Sequence, residues 1–407
     1  MLSKILNRKF LLYILLVFSI LFMTSNKVFL FFSARHIAVL FLVAYYVSHL
    51  RARRNIDFIE KFFFVYIAVY LCCNLINGEL FYSEFITSFI TFHVTSIVLI
   101  LSLPVLIYDK ERFYMLLLAL CIAYILNSLL TIAQFLNLPY SWDIGVFFNN
   151  GLARELDSNA EVMEAVDTLI GRTITAGLIG FVVTNGYFLA TFLPITHRFV
   201  KQELGFAAGG ITVVLACIAV FCCQERAAFA CVIGYFLIYQ FFYIKERPIM
   251  PILIAIVVVV LYNLVDFHSF DLGRFTDFKD DARTTITDNF FEYIMSDESI
   301  FGGLYHYLNI YKINQHNAIL AAWTMGGIPC FILFTYWFVK ATHSLIRKTL
   351  SSYSARHYLL SSLAISCLVY QVYSLTHSSG VQSDGVMFWF LYPLILQYER
   401  LFLNSRK

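Results

Sequence analysis

Charge is what this sequence has least of. Only 14% of its 407 residues are charged and the mean hydropathy is +0.74, whereas a soluble domain keeps about 25% charged residues to cover its surface. Water is therefore excluded as the main solvent. Cysteine is missing from the places where a secreted scaffold would need it. All nine cysteines (72, 73, 121, 217, 222, 223, 231, 330 and 367) fall inside or at the edge of apolar segments. Neither a disulfide framework nor a zinc site is expected; Cys72-Cys73 and Cys222-Cys223 read as small apolar packing residues. The sequence also lacks a tandem repeat, a low-complexity tract and a separate soluble or nucleotide-binding domain. The basic start (Lys4, Arg8, Lys9) and apolar residues 10–24 imitate a secretory signal without a small-x-small cleavage site. This stretch reads as a retained first helix.

What is abundant is apolar length. A helix needs about 20 apolar residues to cross the hydrocarbon core, and twelve segments qualify approximately: 10–24, 28–48, 59–77, 85–108, 112–136, 173–196, 206–223, 226–244, 249–266, 314–339, 358–377 and 384–399. The expected fold class is all-α, a single integral membrane domain over 1–407 with about 12 transmembrane helices. The high counts of Phe (42) and Tyr (26) suit rings that anchor helices at the lipid–water interface. Charge distribution tests the count, because cytoplasmic loops are enriched in Lys and Arg. With the N-terminus cytoplasmic, the inner positions are Lys4, Arg8, Lys9, Arg51, Arg53, Arg54, Lys61, Lys110, Arg112, Arg198, Lys201, Lys245, Arg247, Lys340, Arg347, Lys348, Arg356, Arg400, Arg406 and Lys407, which is 20 of the 29 basic residues. Of the 26 acidic residues, 19 fall outside. Both termini are then cytoplasmic, and the two longest polar loops, about 137–172 and 267–313, lie on the outer side.

Both loops carry helix signals. Ser158 and Glu161 have capping-box spacing ahead of Val162, Met163, Val166, Leu169 and Ile170, predicting a short amphipathic helix. In the second loop, Asp280-Asp281 precede the helical stripe Ile286, Phe290, Phe291 and Ile294, and Gly302-Gly303 end it. Tyr305, Tyr307 and Tyr311 then lead back to the membrane. Asp280-Asp281 also has the form of a divalent-metal pair, but acids at a helix start explain it, and no metal or other cofactor is expected. Trp142, Tyr140, Tyr305 and Tyr307 suit either sugar stacking or interfacial anchoring.

Four basic residues stand out by position. Arg172 ends the first outer loop. Arg226 is pinched between two apolar spans with almost no loop. Arg283 follows Asp280-Asp281-Ala282, and His316 opens the tenth span. Arginine at a helix centre in the bilayer costs about 3 kcal/mol, less near an interface. Taken singly, each arginine is explained by snorkelling or by pairing with an acid such as Glu225 or Asp281, and His316 by capping or interfacial placement. Together they converge on one leaflet. Guanidinium groups match phosphate oxygens bidentately and stay charged at any working pH. A membrane-embedded diphosphate supplies the negative charge they lack. A neutral histidine, with a reference pKa near 6.5, can take a proton from a sugar hydroxyl.

The segment His316-Asn317-x-x-Leu320, followed by Gly326-Gly327 and Phe331, resembles the signature of the O-antigen polymerase and O-antigen ligase superfamily. Three further segments resemble it in order and spacing: Gly171-Arg172 with Gly177, Glu225-Arg226-Ala227-Ala228-Phe229, and Asp281-Ala282-Arg283 ahead of Ile300-Phe301-Gly302-Gly303. The resemblance covers roughly residues 170–340. It departs at Asn185, which lies farther beyond the first arginine than the family's Asn, and at Glu225, where the family has a small residue. It implies a GT-C-like, metal-independent membrane glycosyltransferase of the bacterial inner membrane, with undecaprenyl-diphosphate-linked glycans as donor and acceptor. Carried over, Arg172, Arg226 and Arg283 would hold the diphosphate and stabilise it as leaving group, and His316 would be the base or would orient the acceptor hydroxyl. Asn317 would orient its neighbour or satisfy a helix end. A chain-length regulator and a flippase are the further partners implied, with no role for nucleic acid. Only 33 residues separate Arg283 from His316, a compact loop that favours a polymerase over a ligase acting on a bulky lipid A core. A glycan-lipid flippase without catalysis is the alternative from another class. It should carry polar residues near the midplane and signs of repeats.

Overall fold

The computed structural model describes residues 8–23, 27–29, 32–49, 56–148, 175–179, 182–223, 225–243, 281–311, 315, 317–376 and 385–404. In chain order the helices are α1 (Arg8–Leu21), α2 (Ala34–Ser48), α3 (Phe58–Ile76), α4 (Ser83–Leu106), α5 (Lys110–Phe135), α6 (Ser141–Phe148), α7 (Val182–Leu204), α8 (Phe206–Cys223), α9 (Arg226–Tyr243), α10 (Asp281–Ile294), α11 (Leu304–Tyr311), α12 (Ala318–Ser354), α13 (Tyr358–Ser374) and α14 (Val386–Tyr398). A π-turn interrupts α4 at Phe89–Val94. One addition to the all-α expectation is a two-stranded antiparallel ribbon, β1 (Lys27–Phe29) and β2 (Phe32–Ser33), between α1 and α2.

Of the twelve expected spans, eleven coincide with helices, while 249–266 lies outside the described residues, as does the expected helix after Ser158. Among the described residues, five helices are both long and apolar enough to cross a bilayer: α3, α4, α5, α8 and α12. The protein is a helical membrane protein. Its outward surface fits that solvent. Ile211, Val214 and Ile218 on α8, Ile233 and Leu237 on α9, and Ile332 and Val339 on α12 all face outwards, a distribution that water would penalise and lipid does not. Inside, α13 and α14 bury nearly every residue, as expected for helices that are apolar all round. α7 packs on α5, α8, α9 and α13, and α12 packs on α3 and α13.

Helix starts are set by side chains. Asp57 accepts from Glu60 N at 2.9 Å and Glu60 returns a bond to Asp57 N at 3.0 Å, a capping box for α3. Asp109 caps α5 through Arg112 N at 2.8 Å. One end of the bundle gathers cations on rings and acids. Arg112 bonds Tyr45 at 3.1 Å and lies 4.1 Å from the Tyr108 ring, Arg198 lies 4.4 Å from the Tyr358 ring, and Lys348 pairs with Glu399. Arg226 and α10 are at the opposite end.

The described segment 281–311 joins this opposite end at a break in α12. Over 37 residues that helix runs about 55 Å, and it is interrupted where Gly326 has φ −150° and Gly327 has φ +66°. The break releases carbonyls that an apolar interior cannot leave bare. Gly303 N takes Thr324 O at 2.9 Å, and Asn74 Nδ2 takes Met325 O at 3.2 Å. Asn77 Nδ2 holds the incoming loop at Gly302 O, 3.0 Å away. The backbones touch so closely that a Cβ at position 327 would sit 2.1 Å from Ile300 O. Gly327→Ala therefore combines left-handed strain with a backbone clash, and should lower stability by about 2–4 kcal/mol. Gly210→Ala on α8, where nothing lies within 4 Å, serves as the control and should be neutral or slightly stabilising. Thermal unfolding of the two variants in one detergent separates these outcomes.

Candidate functional site

The sixth span starts later than the hydropathy pattern predicts, at Val182 instead of 173. The reason is a turn over 175–179 in which Gly177 has φ +59°. Its N–H groups have lost helical carbonyl partners, and side chains supply replacements. Gln134 Oε1 accepts from Gly177 N at 2.8 Å and from Ala176 N at 3.1 Å, and Asn127 Oδ1 accepts from Leu178 N at 2.8 Å. Asn127 Nδ2 then donates to Asn185 Oδ1 at 2.7 Å, while Asn185 Nδ2 reaches Thr131 Oγ1 at 3.0 Å and Cys223 Sγ at 3.1 Å. Thr175 Oγ1 closes the network on Cys222 O at 3.2 Å. Asn127, Thr131, Gln134, Thr175 and Asn185 are all buried. Only glycine fits at 177, because a Cβ there would lie 2.5 Å from Asn127 Oδ1.

This network ends where α8 gives way to α9. Glu225 is buried and packs on Gly186, whose added Cβ would lie 2.9 Å from Glu225 Cβ. Arg226 follows as the first residue of α9 and is half-buried. Asn185 and Gly186 thus fix the Glu225-Arg226 pair against α7. Arg172 and His316 lie outside the described residues. Arg283 stands in the first turn of α10, the helix that Asp280-Asp281 and the apolar stripe predict. Asn317 is the N-cap of α12. Its Oδ1 accepts from Ile319 N at 2.9 Å and Leu320 N at 3.3 Å, while its Nδ2 donates to Leu375 O at 3.1 Å beyond α13. The helix-end role expected of Asn317 is what its geometry displays. Tyr307, in contrast, is buried against Tyr293, with its hydroxyl accepting from Gln315 Nε2 at 2.8 Å, so it is a core residue and not a sugar platform. Tyr140 stays exposed. Among the described residues no group of His, Cys, Asp and Glu could hold a metal ion.

A second structural residue escaped the sequence reading. Glu79, buried between α3 and α4, accepts from His306 N at 2.6 Å and so caps α11 from a distant part of the chain. Burial pushes its carboxyl above the usual range, while the backbone N–H groups of residues 304–306 and the His306 side chain pull it partly back. The residues of the α5 network were also missed, although Asn127, Thr131 and Gln134 recur on one face of an apolar helix, the pattern that marks a specific intramembrane role.

Comparison with protein-family models gives no match, and comparison with curated proteins gives no significant relative.

Removing an acceptor from this network leaves buried N–H groups bare. Asn127→Leu should therefore cost about 1–3 kcal/mol, read as a lowered unfolding temperature in detergent; an unchanged temperature would show that the turn does not rely on the amide. Glu79 makes a pH prediction. A carboxyl whose folded pKa exceeds its unfolded value contributes stability that is complete below the unfolded value and declines as pH rises through the folded one. The wild-type unfolding temperature should fall between pH 4.5, the ordinary value for this group, and neutrality. Glu79→Gln should flatten that slope. Parallel slopes for the two proteins would count against the raised pKa.

Proposed function

We propose that this chain is a polymerase of lipid-linked oligosaccharides, a GT-C-like glycosyltransferase of the bacterial cytoplasmic membrane with both termini in the cytoplasm. The observation that carries the reading is a convergence. The segments around Gly177, Glu225-Arg226, Gly302-Gly303, Asn317 and Gly326-Gly327 lie towards the bundle end opposite the basic one, in two bonded groups. One joins the 175–179 turn to the end of α8, and the other joins the Gly302-Gly303 loop to the break in α12. These are the segments in which the sequence resembles the O-antigen polymerase and O-antigen ligase superfamily.

In this reading the diphosphate of the donor lipid lies against Arg226, with Arg172 and Arg283 on the same anion. An acceptor sugar hydroxyl attacks the anomeric carbon of the donor glycan. The new C–O bond forms as the bond from that carbon to the diphosphate oxygen breaks. Undecaprenyl diphosphate leaves with the electron pair, stabilised by the guanidinium charge in a site that excludes water. The hydroxyl proton passes to His316, the residue preceding the Asn317 cap.

The test is elongation by the purified protein in nanodiscs, supplied only with a defined undecaprenyl-diphosphate repeat unit. A ladder of longer lipid-linked glycans is expected. Arg226→Ala and His316→Ala should each lower its rate by about a hundredfold or more while leaving the unfolding temperature within a few degrees. Transfer only after lipid A core is added would make the protein a ligase. No transfer with either acceptor, but movement of the lipid across the bilayer, would make it a flippase. Full activity in both variants would remove the site assignment.

A further inference from the structure

A groove of about 390 Å³ runs between α9, α12 and α13. One wall carries Ala227, Ala230 and Gly234, and the other carries Val369, Val372 and Thr376. Ala227 and Ile238 mark its ends on α9, a separation of about 16 Å along the helix axis. That is roughly half of a 30 Å hydrocarbon core, measured from the end where Arg226 stands. The lining is almost wholly apolar, and the groove is open along its side. Space is left at Gly234 in particular, since a Cβ there meets nothing within 4 Å.

We propose that this groove receives the isoprenoid chain of the lipid-diphosphate substrate, with the units nearest the diphosphate lying along α9. The inference rests on the function proposed above. The argument for this occupant is complementarity along one helix. Arg226 is the residue directly before Ala227, so α9 changes within one turn from a guanidinium to an apolar channel. A lipid diphosphate makes the same change within one bond, from anionic head to hydrocarbon. An occupant with both parts is held at both; a hydrocarbon chain alone uses only the channel. Glu225, two residues before Ala227, packs on Gly186 of α7, so a head bound at Arg226 lies close in sequence to the network that fixes α8 against α7.

The probe that tests this is geranylgeranyl diphosphate carrying a photoreactive group at its far end, with no sugar attached. It is added to the full-length protein in phosphatidylethanolamine–phosphatidylglycerol nanodiscs. Crosslinks are expected on α9 and α13 facing the groove. Gly234→Leu puts an isobutyl group into the channel from a Cβ position with nothing within 4 Å and replaces a poor helix former by a good one. It should weaken saturable labelling by at least about tenfold while the unfolding temperature holds or rises. Arg226→Ala should weaken it as well. Labelling unchanged in Gly234→Leu, crosslinks mapping elsewhere in the chain, or equal displacement by excess phosphatidylglycerol would each overturn the assignment, the last by showing a site for bulk phospholipid. Failure of the groove and failure of the polymerase reading separate cleanly. Groove-specific binding without any elongation removes only the polymerase. Elongation with unaltered substrate dependence in Gly234→Leu removes only the groove.

Discussion

A turn inside an apolar bundle has to bring its own hydrogen-bond partners, and the carboxamides of Gln134 and Asn127 are those partners for residues 176–178. Lipid offers no donor or acceptor in compensation, so irregular backbone at this depth exists only where protein supplies them. Asn127 uses both ends of its amide, accepting from Leu178 N and donating to Asn185. Asn185 passes the chain of bonds to Thr131 and Cys223. One connected network therefore joins α5, the 175–179 turn, α7 and the end of α8. Linked buried bonds of this kind polarise one another, and losing one strands the rest. The consequence is positional: the segment leading back to Arg172 and the one leading on to Arg226 are fixed against the same amides.

The break in α12 poses the same physical problem and answers it with backbone. Thr324 and Met325 carbonyls lose helical partners, and Gly303 N with Asn74 Nδ2 replaces them. Two glycines make the contact possible, because a Cβ at 302 would lie 2.3 Å from Gly327 N and one at 327 would lie 2.1 Å from Ile300 O. Glu79 then fastens α11 to the α3–α4 connection. The basic end is built differently. There α7 and α8 are joined through Gly205 alone, and α4 and α5 through residues 107–109. Short, tight links at one end and loops docked into broken helices at the other give a rigid base that positions variable chain, which is how scaffolds commonly present functional residues.

Hydropathy and charge were enough to place most helices, because both follow from the bilayer itself: length from its thickness, basic residues from its electrical asymmetry. α3, α5, α8 and α9 begin and end within a few residues of the expected limits. The helix after Asp281 was legible too, from acids at its start and an apolar stripe. What could not be read was the late start of α7, since residues 173–181 are as apolar as a helix and the turn depends on side chains more than forty residues away. The roles of Asn127 and Gln134 were hidden for the same reason: a polar residue in an apolar run announces a partner without naming it. Asn185 illustrates the point, for nothing in its own segment indicates that Asn127, Thr131 and Cys223 are its partners.

Asymmetry along a helix axis, as opposed to around it, is what sets α9 apart. Most amphipathic helices divide their polar and apolar residues between two faces, which suits a boundary between core and solvent. α9 instead carries its described charge at its first residue and is apolar along the length that follows. Such a helix cannot gain by lying at an interface; it gains by standing across one. Its start sits against Gly186 and the buried Glu225, so the cation is held where the bundle is polar, while Ile233 and Leu237 farther along the helix face outwards. A molecule that is itself charged at one end and apolar along its length meets both environments at once only if it lies parallel to this helix. That constraint sets the orientation of any lipid-anchored anion bound here before a single specific contact is considered.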